Sequence, residues 1–345
     1  MSVPTVKLNC NLVLENGKKV PIGGHQNVEI PLIGLGTWKS GADTVAKAVE
    51  IHLKKTESTL LDCAWGYGNE ADVGRGVKAS GRPRSEIFIT SKLWGTWHKR
   101  VEEALDDTLA QLGTDYLDLY LVHWPVALNS TDPKNGPLIP LLPDGTRDVD
   151  RSWDLRRTWA QMESLLAKGK VRSIGVSNFS EANLKKILPV DLLRARYTHE
   201  TFPDDLVETT IIPSVNQLEL HVYNPQHKLR AFLSSFGIRA EAYSPLGSGD
   251  KTMMEDEVVV RIAETHGLSP ADVLIGYLVK NEIITIPKSV TESRIISNVN
   301  GALAARAKLT HADVSALYTR AGEGGKQKRF IMPPWPVDLG FENWG

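Results

Sequence analysis

The run Tyr116-Leu117-Asp118-Leu119-Tyr120-Leu121-Val122-His123 decides the fold. It is the most strand-like stretch of the chain. It is apolar almost throughout, which is how a strand covered on both faces reads. An amphipathic helix pattern, Lys99 to Leu112, precedes it, and another, Trp153 to Ala167, follows. The same unit recurs in both directions. Strands are predicted at Pro31 to Trp38, Thr59 to Asp62, Glu86 to Lys92, Val171 to Val176, Ile212 to Gln217, Ile238 to Tyr243 and Ile283 to Ile286. Helices are predicted at Asp43 to Lys54, Glu70 to Ala79 and Ser180 to Leu188, with Ser180 as N-cap, and between the later strands. Alternation of this kind means parallel strands joined by crossover helices. Eight such units in about 250 residues make an α/β fold, the (β/α)8 TIM barrel. The rival, an open doubly wound sheet, often carries GxGxxG after its first strand. Here Gly34-Leu35-Gly36 is followed by Thr37-Trp38-Lys39, so the third glycine is missing.

The composition agrees. The chain has 345 residues, 41% hydrophobic and 23% charged, with net charge −1 and two cysteines. That apolar fraction with balanced charge is not a disordered chain. No excess of basic residues is present to hold a nucleic acid. Cys10 and Cys63 cannot build a disulfide framework, which points to a reducing, cytoplasmic compartment. No apolar run approaches the roughly 20 residues of a membrane span, and the N-terminus lacks a signal-peptide pattern. One domain, 1–345, is expected: an N-terminal hairpin region at 1–30, a barrel core at 31–300, and a C-terminal helix and tail at 301–345. Val6 to Leu14 alternates, and Asn16-Gly17 is a hairpin turn signal. That hairpin is expected to plug the N-terminal mouth. The long loop Val126 to Arg151 follows strand four and so belongs to the active face. Pro189 to Pro213 precedes strand six and belongs to the opposite face. The tail Ala321 to Gly345 has no helix pattern but carries Phe330, Trp335, Phe341 and Trp344. It is expected over the active-site face.

Barrel chemistry sits where strands end. The residues closing the eight strands are Trp38, Asp62, Lys92, His123, Ser177-Asn178, Gln217, Tyr243 and Lys288. Nearly all are polar or aromatic directly after an apolar run. An unpaired charge in a partly dry barrel mouth is costly, and pairing Asp62 with Lys92 removes that cost. A structural ion pair explains those two alone, but not the whole ring. Tyr67 lies in the loop after strand two. A phenol beside an ammonium is expected to have a lowered pKa and to serve as a proton donor. His123 can donate to a substrate oxygen at the same point. Asp62, Tyr67, Lys92 and His123 thus form a proton-delivery unit.

There is no HExxH, CxxC, EF-hand or GxSxG pattern, and Cys63 reads as a packed thiol. No metal is expected. A proton donor without metal or nucleophile needs another reagent, and hydride from a nicotinamide serves. Lys288 and Ser289 lie between the last strand and the next helix, whose N-terminus can bind phosphate, with Arg294 one turn on. A Lys–Arg pair suits the 2′-phosphate of NADP.

These residues resemble the aldo-keto reductase family. Asp62-Cys63-Ala64-Trp65-Gly66-Tyr67-Gly68-Asn69-Glu70 is similar to its tyrosine motif, Thr90-Ser91-Lys92-Leu93-Trp94 to its lysine motif, and Leu121-Val122-His123-Trp124-Pro125 to its histidine motif. Ile174 to Phe179, Ala242 to Gly247 and Ile286 to Asn298 resemble cofactor segments. The likeness runs from about Leu32 to Asn298. It implies that Tyr67 is the general acid, that Lys92, held by Asp62, lowers its pKa, and that His123 orients the carbonyl. It implies Ser177, Asn178 and Gln217 on the carboxamide and Tyr243 stacked on the nicotinamide. Lys288, Ser289 and Arg294 would take the 2′-phosphate, with Asn298 at the adenine. Thr37, Trp38, Lys39, Ser244, Leu246, Ser248 and Asp250 complete the cofactor set, Lys39 and Asp250 as a clasp over the pyrophosphate. Trp38, Trp94 and Trp124, with His123, would wall the substrate pocket. Three features depart from the family pattern: Ser297 in place of an acidic adenine contact, an insertion at Gly23 to Val28, and a longer segment at Pro189 to Pro213. Pro333-Pro334-Trp335-Pro336 resembles the tail of fungal members that reduce small sugars or related aldehydes.

The expected activity is NADPH-dependent reduction of small aldehydes or aldoses, extending to some ketones or uronic acids, in a monomer or weak homodimer. A nucleotide-binding partner protein with little turnover is the alternative from another class. An isomerase using Lys92 as a Schiff-base amine fails, because Asp62 would keep the amine protonated.

Overall fold

The computed structural model describes residues 2–8, 12–15, 18–21, 28–203, 206–342 and 344. Its centre is an eight-stranded parallel sheet formed by β5 (Gly34–Gly36), β6 (Leu60–Asp62), β7 (Phe88–Leu93), β8 (Leu119–Val122), β9 (Ile174–Ser177), β10 (Val215–Glu219), β11 (Arg239–Tyr243) and β12 (Ile284–Thr285). Each strand pairs with its sequence neighbour in parallel register. Parallel bridges Ile33↔Thr285 and Gly36↔Lys288 join the last strand to the first and close the barrel. Helices intervene: α1 (Ala42–Lys55), α2 (Glu70–Ser80), α3 (Val101–Leu112), α4 (Leu155–Ala167), α5 (Glu181–Lys185), α6 (Val190–Arg196), α7 (His227–Phe236), α8 (Glu257–His266), α9 (Pro270–Lys280), α10 (Glu292–Lys308) and α11 (His311–Thr319).

Strand alternation separates two buried layers. Tyr120, Val122, Ile174 and Val176 pack outward against the helices, beside Leu105, Trp159 and Leu165. Leu60, Phe88, Leu119, Leu121 and Val215 belong to the second cluster, inside the barrel, with Val6, Leu8, Val28 and Ile30. Those last four come from β1 (Thr5–Lys7) and β4 (Glu29–Pro31), which pair antiparallel, and from the residues beside them. This β1–β4 ribbon therefore meets the apolar floor, in place of the expected hairpin. The hairpin exists as β2 (Leu12–Glu15) and β3 (Lys18–Pro21), a separate two-stranded sheet. Its Asn16-Gly17 turn, Cys10, and residues 23–27 of the expected insertion lie outside the described residues.

Several boundaries move. The first barrel strand is only Gly34–Gly36, because Pro31 closes the floor ribbon. The division at residue 30 falls inside β4, and that at 300 inside α10. The long Pro189–Pro213 segment contains α6, which its mixed composition hid. Ser180 does cap α5, accepting from Asn183 N. The tail is tied down rather than helical. Buried Asp256 pairs with Arg320 at 2.8 Å and Lys326 at 2.9 Å and accepts from Tyr223 Oη at 2.6 Å. Further on, Asn183 Nδ2 donates to Leu339 O at 2.9 Å and Arg151 to Pro336 O at 2.6 Å. No helix among the described residues is long and apolar enough to cross a membrane.

Candidate active site

The C-terminal ends of β6, β7 and β8 bring Asp62, Lys92 and His123 to one mouth. Lys92 Nζ lies 2.6 Å from Asp62 Oδ1 and donates to Cys63 O at 2.7 Å and Tyr67 Oη at 3.3 Å. Lys92 is fully buried and Asp62 nearly so. Burial works against the ammonium, but the Asp62 charge, Tyr67 and the Asp62 hydrogen bond carry its pKa above the ordinary lysine value. The ammonium is therefore permanent at neutral pH.

Tyr67 sits on a short 3₁₀ turn, Trp65–Tyr67, between β6 and α2. Asn69 fixes this loop by donating to Thr37 O at 3.0 Å and Ser40 O at 3.1 Å. Gly66 is required there, since an added Cβ would meet the Trp94 ring at 2.8 Å. The Tyr67 ring meets His123 edge-on with centroids 5.6 Å apart, and Trp94 meets His123 likewise at 5.2 Å. Trp38 lies 6.5 Å from Tyr67, and Trp124 stacks 6.4 Å from His123. Trp38 and His123 thus flank the Tyr67 ring, and Trp94 and Trp124 back His123.

The direction of the Tyr67 shift corrects the sequence reading. Burial pushes the phenol above its usual pKa, and the opposing pull of Lys92 does not overcome it. Desolvation of an anion is the larger effect even at this half-buried phenol. Tyr67 thus keeps its proton at neutral pH, beside a cation able to stabilise the phenolate left after proton donation. His123 goes the other way. Burial, then the Lys92 charge, holds its pKa well below the ordinary imidazole value, so the ring is neutral. Its Nδ1 is buried with no hydrogen-bond partner among the described residues. Cys63 is fully buried, and burial, then Glu70 and Asp62, raise its thiol well above the ordinary value, as a packed thiol requires.

Residues of the next three strands form one amide network. Ser177 Oγ donates to Gln217 O at 3.0 Å, and Asn178 Nδ2 donates to His123 O and Ser177 Oγ, both at 3.0 Å. Tyr243 Oη donates to Asn178 Oδ1 at 2.9 Å. Asn178 directly follows its strand at φ 62°, a left-handed conformation asparagine tolerates better than most residues. Ser244, after Tyr243, is also left-handed at φ 50°, and its hydroxyl lies 2.7 Å from that of Ser248. Left-handed backbone after β9 and again after β11 is the kind of strain that gathers at functional mouths. Gln217 lies inside β10, which runs on to Glu219.

The last strand leads to the expected phosphate site. Lys288 and Arg294 are exposed, and neither makes an ion pair among the described residues. Buried Ser289 accepts from Thr291 N at 3.2 Å at the start of α10, and Asn298 is buried on that helix. α10 has 17 residues and no side-chain N-cap bond. Unpaired cations beside an uncapped helix N-terminus fit an anionic group. The Lys39–Asp250 clasp is not formed. Asp250 pairs instead with Lys328 of the tail at 2.7 Å, while Lys39 Nζ lies 4.4 Å over the Trp38 ring. Thr37 is fully buried, its hydroxyl donating to Asp62 O at 2.8 Å, and Leu246 is half-buried.

The Aldo/keto reductase family pattern matches residues 32–318. The chain belongs to the aldo/keto reductase family. A D-galacturonate reductase of Hypocrea jecorina is 41% identical over 92% of this chain and 96% of its own. The glycerol 2-dehydrogenase (NADP(+)) of Saccharomyces cerevisiae is 40% identical over 90% and 93%. The aldose reductase structure from Giardia lamblia superposes with a TM-score of 0.76 at 33% identity, covering 90% of this chain and 99% of that one. This aldo/keto reductase is accordingly a carbonyl-reducing oxidoreductase.

In this family member, two further groups of residues reach the site that strand-end reasoning did not assign. Trp335 and Trp344 of the tail meet Trp124 at 5.7 and 5.9 Å. Their aromatic character and the tail-like Pro333-Pro334-Trp335-Pro336 were the available signals, and the tail does lie over the active face as expected. Glu241 lies inside a strand rather than at its end. A charged residue within an apolar run was the signal for it.

Proposed function

We propose that this chain reduces the carbonyl of small aldehydes and aldoses, uronic acids included, with NADPH, Tyr67 supplying the proton. The observation that carries this reading is the buried ammonium of Lys92, shared between Asp62 at 2.6 Å and the protonated phenol of Tyr67 at 3.3 Å. Bound NADPH supplies the hydride. Lys92 stabilises the phenolate that remains once Tyr67 has given its proton to the new alcohol oxygen. Asp62 keeps Lys92 charged and in place. His123, held neutral, orients the carbonyl oxygen toward the Tyr67 hydroxyl. Trp38, Trp94 and Trp124 exclude water around it.

Ser177, Asn178 and Gln217 offer amide and hydroxyl groups for the carboxamide, with the Tyr243 ring as the stacking surface. Lys288, Ser289 and Arg294 favour a 2′-phosphate, which supports NADPH over NADH. Residues 1–345 act as one barrel domain, as a monomer or weak homodimer, and a cytoplasmic location rests on cysteine usage alone. The activities for which the Hypocrea and yeast relatives are named support a polyol- or sugar-acid-sized substrate. The test is loss of NADPH absorbance with glyceraldehyde, pentoses, galacturonate and an aromatic aldehyde, each repeated with NADH. Absence of turnover with all four sinks the reading.

A further inference from the structure

Glu241 is fully buried, yet both its carboxyl oxygens have no hydrogen-bond partner among the described residues. Such a group calls for an explanation. Alternation along β11 turns Ala240 and Ala242 toward the outer hydrophobic layer, so Glu241 and Tyr243 point into the barrel. Glu241 is the register partner of Gln217. That glutamine donates its amide to Asp62 Oδ1 at 2.7 Å, the oxygen already bound by Lys92. Each neighbouring element has a known charge. β6 offers Asp62, β7 offers Lys92, and Tyr67 lies beyond them. β10 offers neutral Gln217, and β12 offers Ile284 and Thr285. One cation therefore faces two carboxyls. Asp62 holds its hydrogen bonds, whereas Glu241 makes none of good geometry, and the adjacent Gln217 amide eases its burial only in part.

We propose that Glu241 is a positioning residue that sets the charge balance of the Asp62–Lys92–Tyr67 unit and so the alkaline limit of carbonyl reduction. An ionised carboxylate without partners is far costlier in a dry interior than a neutral acid. Burial, then the Asp62 charge, pushes the Glu241 carboxyl up to about 8. Below that pH the Lys92 charge is balanced by Asp62 alone and is free to stabilise a Tyr67 phenolate. Above it, a second carboxylate draws on the same ammonium, and proton donation by Tyr67 leaves a third negative charge in the barrel. Proton transfer then slows, although Tyr67 itself remains protonated.

The inference rests on the functional reading above, and its test separates the two. Wild type and Glu241→Gln are compared for kcat between pH 6 and 9.5 at saturating NADPH and aldehyde, and for melting temperature over the same range. The ratio of kcat at pH 9 to that at pH 6.5 should be at least fivefold higher in Glu241→Gln. An unchanged ratio overturns the proposal. The sign of the stability effect is fixed by linkage. A carboxyl whose folded pKa is raised gives stability that is full below its ordinary value and is lost as pH rises through about 8. Wild-type melting temperature should therefore fall relative to Glu241→Gln from pH 6 to 9, whereas parallel curves overturn the assignment. Buried Glu70, pushed up to about 7 by burial, is present in both proteins and cancels. Should Glu241→Gln not fold, Glu241→Leu carries both readouts. A wild type without turnover overturns the functional reading, and the melting curves then decide the charge balance alone.

Discussion

Gln217 donates its side-chain amide to Asp62 across the barrel at 2.7 Å. The two residues are 155 apart in the chain. The acceptor is Oδ1, the same oxygen that Lys92 holds at 2.6 Å. Asp62 is thereby fixed from two sides before any substrate arrives.

This arrangement predicts strong coupling between Asp62 and Lys92. Lys92→Met leaves a buried carboxylate unpaired and should cost about 3–5 kcal/mol of stability. Asp62→Asn combined with Lys92→Met removes both charges and should recover most of that loss. Urea unfolding of wild type, both single variants and the double variant measures the coupling. Additive losses would mean that the pair is not a unit.

Tyr67→Phe should lower kcat by about 10²–10⁴-fold, the usual worth of a positioned general acid. The substitution removes one oxygen and leaves the cofactor residues in place. NADPH affinity, measured by protein fluorescence titration, should stay within about threefold of wild type. Wild-type turnover in this variant would assign the proton to another group.

Lys288→Ala with Arg294→Ala tests the phosphate site. Charge-assisted hydrogen bonds contribute about 1.5–3 kcal/mol each, so KM for NADPH should rise at least about tenfold. KM for NADH, which lacks the 2′-phosphate, should change less than about threefold. Equal losses with both cofactors would place these cations elsewhere in recognition.

Asp256→Asn should loosen the tail. Burial opposes the Asp256 carboxylate, but Arg320, Tyr223 and Lys326 hold its pKa well below the ordinary aspartate value. A depressed folded pKa gives stability that is present above about 3.8, the usual value, and is lost as pH falls through the folded one. The melting-temperature gap between wild type and Asp256→Asn should therefore be full at pH 6 and narrow below pH 3.8. Limited proteolysis at pH 7 should cut the variant's tail first. A gap that is constant with pH would remove the charge from the explanation.

Much of this protein was determined by the chain alone. Each barrel strand reads as an apolar run, because both its faces are covered. The residue after such a run emerges at the C-terminal mouth whatever the loops do. Asp62, Lys92, His123, Asn178 and Tyr243 were legible for that reason, and Tyr67 by its distance from Asp62. The tertiary structure decided what depends on distances between segments far apart in sequence. It closed the floor with β1 and β4, since pairing partners are chosen by the packed interior and not by local alternation. It turned the Tyr67 shift upward, because the cost of burying an anion depends on depth, which no spacing reveals. It paired Asp250 with Lys328 instead of Lys39, and it laid Trp335 and Trp344 against Trp124. It also buried Glu241 in register with Gln217, whose amide holds Asp62. Local periodicity fixes which side of a strand a residue takes, but only the closed barrel fixes which charges must share one dry space.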